Sequence, residues 1–212
     1  HDFDLTISMI SDNSTWETTY NLSVESLIEN FSSANFDEFL WILEGDENWI
    51  IDGNIFIDDS YSAKSGLIDH NMTSELSVTM DVVEAGIILF DKMVSCEDVG
   101  SQSGNYYDYL GFYIDGIEQN KWAGEVSWSQ NSFPVSIGEH TFTWKFIKDQ
   151  AVTAGQDAAW IDNIIFPPSY YISILYGDVN NDGNINIQDV ISTVNIILNS
   201  SDYIEAADIN GD

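Results

Sequence analysis

The sequence predicts an all-β fold, an antiparallel jelly-roll β-sandwich, followed by a small loop–helix module at the C-terminus. Three observations predict this arrangement. Residues 50–166 alternate apolar and polar side chains in short segments that glycine-containing turns separate. Pro167 and Pro168 end this pattern, because neither residue has a backbone N–H for a ladder. The chain then changes to an Asp- and Asn-rich loop and to helical spacing of apolar residues.

The clearest predicted strand covers residues 140–146. Its aromatic side chains fall on alternate positions, which places Phe142, Trp144 and Phe146 on one face and leaves the other face polar. A buried apolar face of this kind is typical of a strand that packs against a second sheet. Further strands are predicted at residues 75–83, 86–90, 125–128 and 160–166.

A hairpin is predicted at Asp115-Gly116. These two residues separate the strand candidates 109–114 and 117–122. A two-residue type I′ turn needs positive φ at both central positions, and the Asp-Gly pair adopts such angles at low cost. The two segments should therefore be adjacent antiparallel strands.

Three regions are expected along the chain. Residues 1–28 form an N-terminal strand segment, since residues 4–9 alternate like a strand; this segment belongs either to a preceding module or to the sandwich. Residues 29–168 form the jelly roll, and residues 169–212 form the connector and the C-terminal module. The sequence begins at His1 without Met, which we interpret as a processed or excised fragment.

The charge of the chain restricts its partners. Thirty-six acidic residues face five basic ones, all of them lysine, so the formal net charge is −31. This charge repels phosphate backbones and anionic lipid, which excludes nucleic acid as a partner. No apolar run approaches the roughly 20 residues of a membrane span. Cys96 is the single cysteine, so we expect a plain thiol and no intrachain disulfide.

A twelve-residue loop near the C-terminus has the spacing of an EF-hand calcium site. Calcium prefers several oxygen ligands, which such a loop supplies from positions 1, 3, 5, 7 and 12. Gly183 occupies position 6, where the sharp turn requires glycine, and a helical segment at residues 190–198 follows. The predicted Ca²⁺ ligands are Asp178, Asn180, Asp182, the carbonyl of Asn184, and Asp189.

This region resembles a type I dockerin, whose calcium loops carry Asp at position 12 and are followed by helices. The resemblance covers about residues 177–212. A second, truncated loop begins near the end of the chain, with Asp208, Asn210 and Asp212 at positions 1, 3 and 5. Dockerins bind cohesin domains, so the resemblance implies a cohesin-like partner.

The body of the chain resembles the bacterial relatives of MAM and cleaved-adhesin domains, which are jelly-roll modules of large secreted proteins. The resemblance spans about residues 29–166. It implies a secreted or cell-surface bacterial protein, and it makes Asp157 and Asp162 candidates for a family calcium site. The segments that carry it are residues 35–41, 48–49, 62–66, 74–76, 92–97, 107–116 and 157–162.

The aromatic residues suggest a ligand surface. Trp144 and Trp160 lie in alternating strands and are assigned to the sandwich interior. Trp122 and Trp128 flank a short polar segment and are expected on an exposed loop or a sheet edge, where flat rings can stack against sugars.

No arrangement of residues indicates catalysis. The histidines His1, His70 and His140 lack metal-ligand spacing, and the serines of residues 100–104 do not match a nucleophile elbow. The acidic pairs occur often enough by chance to carry no glycosidase argument.

Two function classes remain open. The first is a non-catalytic extracellular calcium-binding adhesion or ligand-binding module, whose partner is an extracellular protein or a glycan. The second is a structural subunit of an extracellular filament or surface assembly, in which neighbouring copies of the chain join by strand addition and calcium.

Overall fold

The computed structural model describes residues 2–11, 14–23, 27–58, 60–100, 104–170, 179 and 187–199, with the first two ranges described as backbone only. The chain divides into two compact units, residues 1–171 and 172–212, which are treated separately below. The described strands are β1 (Asp2–Ser11), β2 (Ser14–Ser23), β3 (Ile28–Glu29), β4 (Ile42–Gly45), β5 (Ile50–Asp52), β6 (Ser62–Lys64), β7 (Thr73–Val82), β8 (Gly86–Ser95), β9 (Tyr109–Ile114), β10 (Ile117–Trp122), β11 (Glu125–Val135), β12 (Gly138–Ile147), β13 (Ala158–Ile165) and β14 (Ser169–Tyr170), and the described helix is α1 (Ile187–Asn199).

Twelve of the described strands form two antiparallel sheets. Sheet I has the order β10-β9-β12-β7-β14, and β4 also pairs with β7. Sheet II has the order β11-β8-β13-β6-β5, and β3 also pairs with β13. Neighbouring strands in each sheet are mostly distant in sequence, as a jelly roll requires. The predicted all-β sandwich followed by a short helix is therefore confirmed.

The core lies between the two sheets and is rich in aromatic side chains. Phe142, Trp144 and Phe146 of β12 are all fully buried, as the alternation in this strand predicts. The ring of Trp144 lies 5.3 Å from the ring of Phe90 of the opposite sheet, in an edge-on arrangement. Burying each large aromatic ring contributes about 2–3 kcal/mol, so these contacts account for much of the stability of the sandwich.

Trp160 is fully buried, but its assignment to the sandwich interior is wrong. Its neighbours Ala159 and Ile161 belong to the core cluster, so the period of two in β13 places Trp160 on the opposite face of sheet II. There the indole Nε1 donates a hydrogen bond of 2.9 Å to Asp52 Oδ2, and Lys64 Nζ lies 5.3 Å from the ring centroid.

The predicted Asp115-Gly116 hairpin is present. The φ angles are 52° at Asp115 and 74° at Gly116, the positive values that a type I′ turn requires. The turn joins β9 to β10, whose bounds agree with the two predicted segments.

The ends of the first unit add two observations. Residues 4–9 lie in β1, which pairs with β2 as a two-stranded sheet of its own. After the two prolines, β14 pairs with β7, with Ser169 opposite Val82. The first compact unit covers residues 1–171.

Candidate functional site

Most predicted ligands of the C-terminal calcium loop lie outside the described residues. This holds for Asp178, Asn180, Asp182 and Asn184, and for Asp208, Asn210 and Asp212 of the truncated second loop. The helix predicted to follow the first loop is present as α1. None of the described helices is long and apolar enough to cross a membrane.

Asp189, the predicted ligand at position 12, lies in the first turn of α1. Its side chain is 2 % exposed, which is unusual for an aspartate. A carboxylate at this place is stabilised by the positive end of the helix dipole. The backbone carbonyl of Asp189 accepts a hydrogen bond of 2.9 Å from Thr193 Oγ1. Asp189 is therefore positioned at the helix start, as a ligand that closes an EF-hand loop should be.

Trp122 and Trp128 lie in β10 and β11, the edge strands of sheets I and II. Trp122 packs partly into the core, with its ring 6.1 Å from Phe90 in an edge-on contact. Lys92 Nζ lies 5.1 Å from the centroid of the same ring. These contacts occupy much of the Trp122 surface, so the residue is poorly placed to stack against a sugar.

Lys92 is an unusual neighbour of Trp122. The side chain is only 2 % exposed, and its Nζ donates a hydrogen bond of 2.5 Å to Ser129 Oγ. Burial lowers the pKa of Lys92, because desolvation disfavours the charged ammonium. The ring of Trp122 offsets part of this cost through a cation–π contact.

Trp128 remains available as a ligand-contacting residue. It is half-buried in β11 and lines a shallow cavity of about 210 Å³ together with Met93 and Glu125.

A larger groove lies on sheet I, away from both tryptophans. Its volume is about 270 Å³, and it is lined by Glu75, Tyr113, Gly116, Thr143, Lys145 and Ile147. Lys145 Nζ forms an ion pair of 2.8 Å with Glu75 Oε2 across β12 and β7. The groove therefore combines one aromatic ring with adjacent hydrogen-bond donors and acceptors.

Tyr113 is held in this groove by its own strand. A Cβ on Gly111 would come within 2.7 Å of the Tyr113 ring, so the ring lies over the glycine backbone. Burial raises the pKa of Tyr113, and the neighbouring Tyr109 and Glu118 raise it further. The tyrosine therefore stays a neutral hydroxyl donor and acceptor at physiological pH. The aromatic residues expected to contact a ligand did not include Tyr113, although the Tyr-x-Gly-x-Tyr spacing of residues 109–113 puts both rings on one face of β9.

Asp157, a calcium candidate by resemblance, is paired with a lysine. Its Oδ2 contacts Lys148 Nζ, and Lys148 is 3 % exposed. Lys148 Nζ also lies 3.3 Å from Thr153 Oγ1. An ammonium ion thus occupies the Oδ2 side of this carboxylate, which weighs against a calcium ion in the same place.

Asp162, the second candidate, lies among other acids on the outer face of sheet II. It is 1 % exposed, and its carboxylate accepts hydrogen bonds from the backbone N–H groups of Ile57 at 3.3 Å and Asn163 at 2.8 Å. Burial, together with the charges of Asp91 and Asp58, raises the pKa of Asp162 to about 6. Either a proton or a cation would relieve the cost of this buried charge.

The described residues contain one arrangement that resembles a catalytic triad. His140 Nδ1 lies 2.7 Å from Asp115 Oδ2, and His140 Nε2 lies 3.1 Å from Ser136 Oγ. However, Nε2 also lies 3.1 Å from the backbone carbonyl oxygen of Ser136, which can only accept a hydrogen bond. The His140 ring thus contacts both the side chain and the backbone of Ser136 in one turn, and Asp115 in another. We therefore interpret His140 as a structural link between two turns.

Cys96 is an inert thiol, in agreement with its sequence context. It is buried, and Sγ lies 3.3 Å from the backbone carbonyl oxygen of Asp108. Burial raises the pKa of Cys96 to about 12, so the thiolate is scarcely populated near neutral pH.

The comparison with protein families finds one match. Residues 176–212 match the family described as the Dockerin type I domain, which confirms the resemblance of the C-terminal module. Dockerin type I domains bind calcium, so the match supports Ca²⁺ as the ion of this module. The comparison with curated proteins finds no match.

Solved structures similar to the chain include adhesin and carbohydrate-binding domains. The K1 cleaved adhesin domain of Lys-gingipain from Porphyromonas gingivalis has a TM-score of 0.48 and 10 % identity, over 66 % of this chain and 96 % of that one. A xylan-binding domain from Paenibacillus barcinonensis has a TM-score of 0.41 and 14 % identity, over 68 % and 94 %.

Some similar structures are enzymes or enzyme domains. The secreted serine protease VesC from Vibrio cholerae has a TM-score of 0.44 and 9 % identity, over 76 % of this chain and 32 % of that one. The sandwich is similar in structure to cleaved-adhesin domains, whereas the resemblance to MAM domains stays a prediction.

Proposed function

We propose that the chain is a secreted, non-catalytic bacterial module that binds a glycan in the groove on sheet I and uses calcium to fold its C-terminal module. The observation that carries the glycan proposal is the position of Tyr113 beside the Lys145–Glu75 ion pair in one groove. Sugar recognition needs a flat apolar surface for the ring face and paired donors and acceptors for the hydroxyl groups.

The groove supplies both requirements from rigid strands. Tyr113, Thr143 and Lys145 come from the adjacent strands β9 and β12, whose ladder fixes their spacing. The ion pair keeps Lys145 and Glu75 extended over the sheet, so little side-chain entropy is lost on binding. Trp128 is the alternative contact, because its cavity on β11 offers one aromatic ring beside Glu125.

Calcium enters the proposal through the C-terminal module. Asp189 is buried at the start of α1, and the family match covers the loop in which it closes the predicted site. The apolar residues Val190, Ile191 and Val194 of α1 are 56 %, 54 % and 46 % exposed. A helix surface of this kind suits a protein partner, and a cohesin-like domain is the partner that we propose.

The glycan proposal is tested by affinity electrophoresis and calorimetry of the full chain against soluble xylan, galactan, β-glucan and α-glucan. We expect at least one polysaccharide to bind, and Tyr113→Ala to weaken that binding at least tenfold. Trp128→Ala should leave the affinity within twofold. Thr79→Ala is the matched control, since Thr79 is exposed on sheet I and contacts Thr141 outside the groove.

Two outcomes would overturn the assignment. Absence of binding to every polysaccharide would remove the glycan function. Binding that is lost in Trp128→Ala and retained in Tyr113→Ala would move the site from sheet I to the cavity on β11. Thermal unfolding of each variant shows whether a loss of affinity reflects a loss of folded protein.

Two edge strands of the sandwich, β10 and β11, weigh against assembly by strand addition. The edge strand β10 has an irregular register near Glu118, and the edge strand β11 contains Pro134 and a register shift after Val126. Bulges, charges and proline at an edge hinder pairing with a further strand. We expect a monomer in sedimentation velocity with and without calcium; a concentration-dependent oligomer would favour the assembly hypothesis instead.

A further inference from the structure

Three acidic residues meet at one end of the sandwich. Glu97 follows β8, Asp108 immediately precedes β9, and Asp149 follows β12. One carboxylate oxygen from each of the three lies within 4.8 Å of the other two. Calcium–oxygen distances are about 2.3–2.6 Å, so two ligands of one ion lie at most about 5 Å apart. The three oxygens therefore satisfy the distance requirement for a shared calcium ion.

The buried member of this group lacks a hydrogen-bond partner on one oxygen. Asp108 is fully buried, and its Oδ1 accepts a hydrogen bond of 2.9 Å from the backbone N–H of Asp149. Asp108 Oδ2 is buried without a hydrogen bond. A buried, unsatisfied carboxylate oxygen costs several kcal/mol unless a donor or a cation approaches it.

The neighbouring lysine does not satisfy Asp108. Lys148 Nζ lies 4.0 Å from Asp108 Oδ2, beyond hydrogen-bond distance, because the ammonium contacts Asp157 instead. Asp157 Oδ1 is itself buried without a hydrogen bond. Lys148 is thus shared between Asp108 and Asp157, and Glu97 and Asp149 add further negative charge, which favours a further cation.

The backbone holds these acids in place. The carbonyl oxygen of Glu97 accepts a hydrogen bond of 3.1 Å from the N–H of Gly124, and that of Asp149 accepts one of 2.6 Å from the N–H of Asn71. Asp149 Oδ1 also accepts a hydrogen bond of 2.8 Å from the N–H of Ala151. Each loop is therefore anchored to a different neighbouring segment, which makes the group a preorganised site.

We propose that Glu97, Asp108 and Asp149 bind a calcium ion that joins the ends of β8, β9 and β12. The ligands are carboxylate oxygens, and backbone carbonyls or water complete the coordination, as hard divalent cations prefer. Burial raises the pKa of Asp108 and of Glu97, so a shared proton is the competitor of the ion at this site. This site is independent of the glycan groove and of the C-terminal loop.

The test uses the full chain with the C-terminal loop disabled by Asp178→Ala and Asp182→Ala. Calcium is titrated into this background at pH 7.5 by calorimetry, with thermal unfolding in chelator and in calcium. We expect one calcium ion to bind. At a calcium concentration one hundred times the Kd, the melting temperature of the sandwich should rise by about 5–10 °C.

Single variants in this background identify the ligands. Glu97→Gln is the main variant, because Glu97 is half-exposed and its loss leaves the core intact. It should weaken calcium binding at least tenfold, and Asp108→Asn should abolish it. Asp98→Asn is the matched control, since it removes the same charge from the adjacent exposed residue and should change the Kd by less than twofold.

Two results would overturn the site. If the background binds no calcium at millimolar concentrations and its melting temperature does not respond to calcium, then the acids share a proton. If Glu97→Gln and Asp98→Asn weaken binding equally, the ion is attracted by the general negative charge of the chain and is not coordinated. Should Asp108→Asn fail to fold, the comparison of Glu97→Gln with Asp98→Asn still decides between these readings.

Discussion

His140 Nδ1 lies 2.7 Å from Asp115 Oδ2, and this contact joins the β9–β10 hairpin turn to the start of β12. Asp115 is in the turn between β9 and β10, while His140 near the start of β12 also contacts Ser136 in the turn after β11. Asp115 Oδ1 accepts a further hydrogen bond of 2.9 Å from the backbone N–H of Thr141. The three residues that resemble a triad thus link the β9–β10 hairpin to the turn that connects β11 of sheet II to β12 of sheet I.

Asp115→Ala should destabilise the sandwich by about 2 kcal/mol. The change removes the acceptor of Thr141 N–H and places alanine at φ 52°, and each effect costs about 1 kcal/mol. Asp115→Asn should cost less, because asparagine tolerates this φ and keeps an acceptor. Denaturant unfolding measures both changes. Glu139→Ala is the control. If Asp115→Ala lowers the free energy of unfolding no more than Glu139→Ala does, the proposed link is contradicted.

The same carboxylate predicts a pH dependence. Burial acts to raise the pKa of Asp115, but the hydrogen bonds from Thr141 and His140 outweigh this effect and hold the pKa below its usual value. The contribution of Asp115 is therefore complete above its unfolded pKa near 3.8 and is lost as the pH falls through the lower folded value. The stability difference between wild type and Asp115→Asn should shrink in that range, and a constant difference would exclude this cause.

Lys92→Met should stabilise the sandwich by about 1 kcal/mol at pH 7. The buried ammonium has one hydrogen bond, to Ser129, and methionine fills a similar volume without the desolvation cost. In the folded protein, burial lowers the pKa of Lys92 below its ordinary value of 10.5. As the pH rises from the folded pKa towards 10.5, only the unfolded state still binds the proton, so the wild type gains stability. The advantage of the variant should shrink over this range, as pH-dependent denaturant unfolding will show.

Lys64→Met serves as the control for Lys92→Met. Lys64 also lies over a tryptophan ring, that of Trp160, but it is half-buried and remains partly hydrated. Its replacement should lose only a cation–π contact of about 0.5 kcal/mol. A destabilised Lys92→Met would mean that the contact with Trp122 outweighs the desolvation of the ammonium.

The sandwich was predictable because its signals are local. The alternation in β12 fixes which side chains enter the core, and the Asp115-Gly116 pair fixes one turn together with both flanking strands. The error at Trp160 has a physical origin. In β13, both faces are covered, so alternation no longer separates the interior of the sandwich from a second buried face.

The sites were harder to predict because they depend on contacts distant in sequence. Lys145 and Glu75 meet only through the β12–β7 register, and Glu97, Asp108 and Asp149 meet only where three strands end. The metal loop was recognisable because all its ligands lie within twelve consecutive residues.

Asp162→Asn should remove a pH-dependent cost of folding in chelator. Burial raises the pKa of Asp162 in the folded state to about 6. At pH values between the unfolded pKa and about 6, the folded state therefore keeps this proton, whereas the unfolded state has lost it. Wild-type stability should therefore fall as the pH rises from about 4 to about 6 and then level off, while Asp162→Asn should show no such step. Denaturant unfolding across this range measures the difference.

Asp91→Asn tests the electrostatic part of the same prediction. Asp91 is 7 % exposed, and its charge contributes to the raised pKa of Asp162. Removing that charge should move the step to lower pH without abolishing it. An unchanged step would leave burial as the cause. Repeating the series in calcium tests whether Asp162 is a ligand: a single ion at Glu97, Asp108 and Asp149 should stabilise wild type and Asp162→Asn equally.

Removal of calcium should unfold the C-terminal module before the sandwich. Helix α1 has 13 residues, near the limit at which an isolated helix is marginal in water, so it depends on the ion that Asp189 is predicted to bind. In chelator at 25 °C, we expect loss of the helical circular dichroism signal and rapid proteolysis between residues 177 and 199, while the β-sheet signal persists. Asp189→Ala should reproduce this behaviour in calcium.

Ser192→Ala is the matched control, because it changes the same helix one turn later and alanine favours helix. This variant should keep the wild-type response to calcium. If chelator leaves both the helical signal and the protease resistance of residues 177–199 unchanged, the module folds without the ion. Calcium would then bind to a module that is already folded, and Asp189→Ala would lower the calcium affinity without unfolding α1.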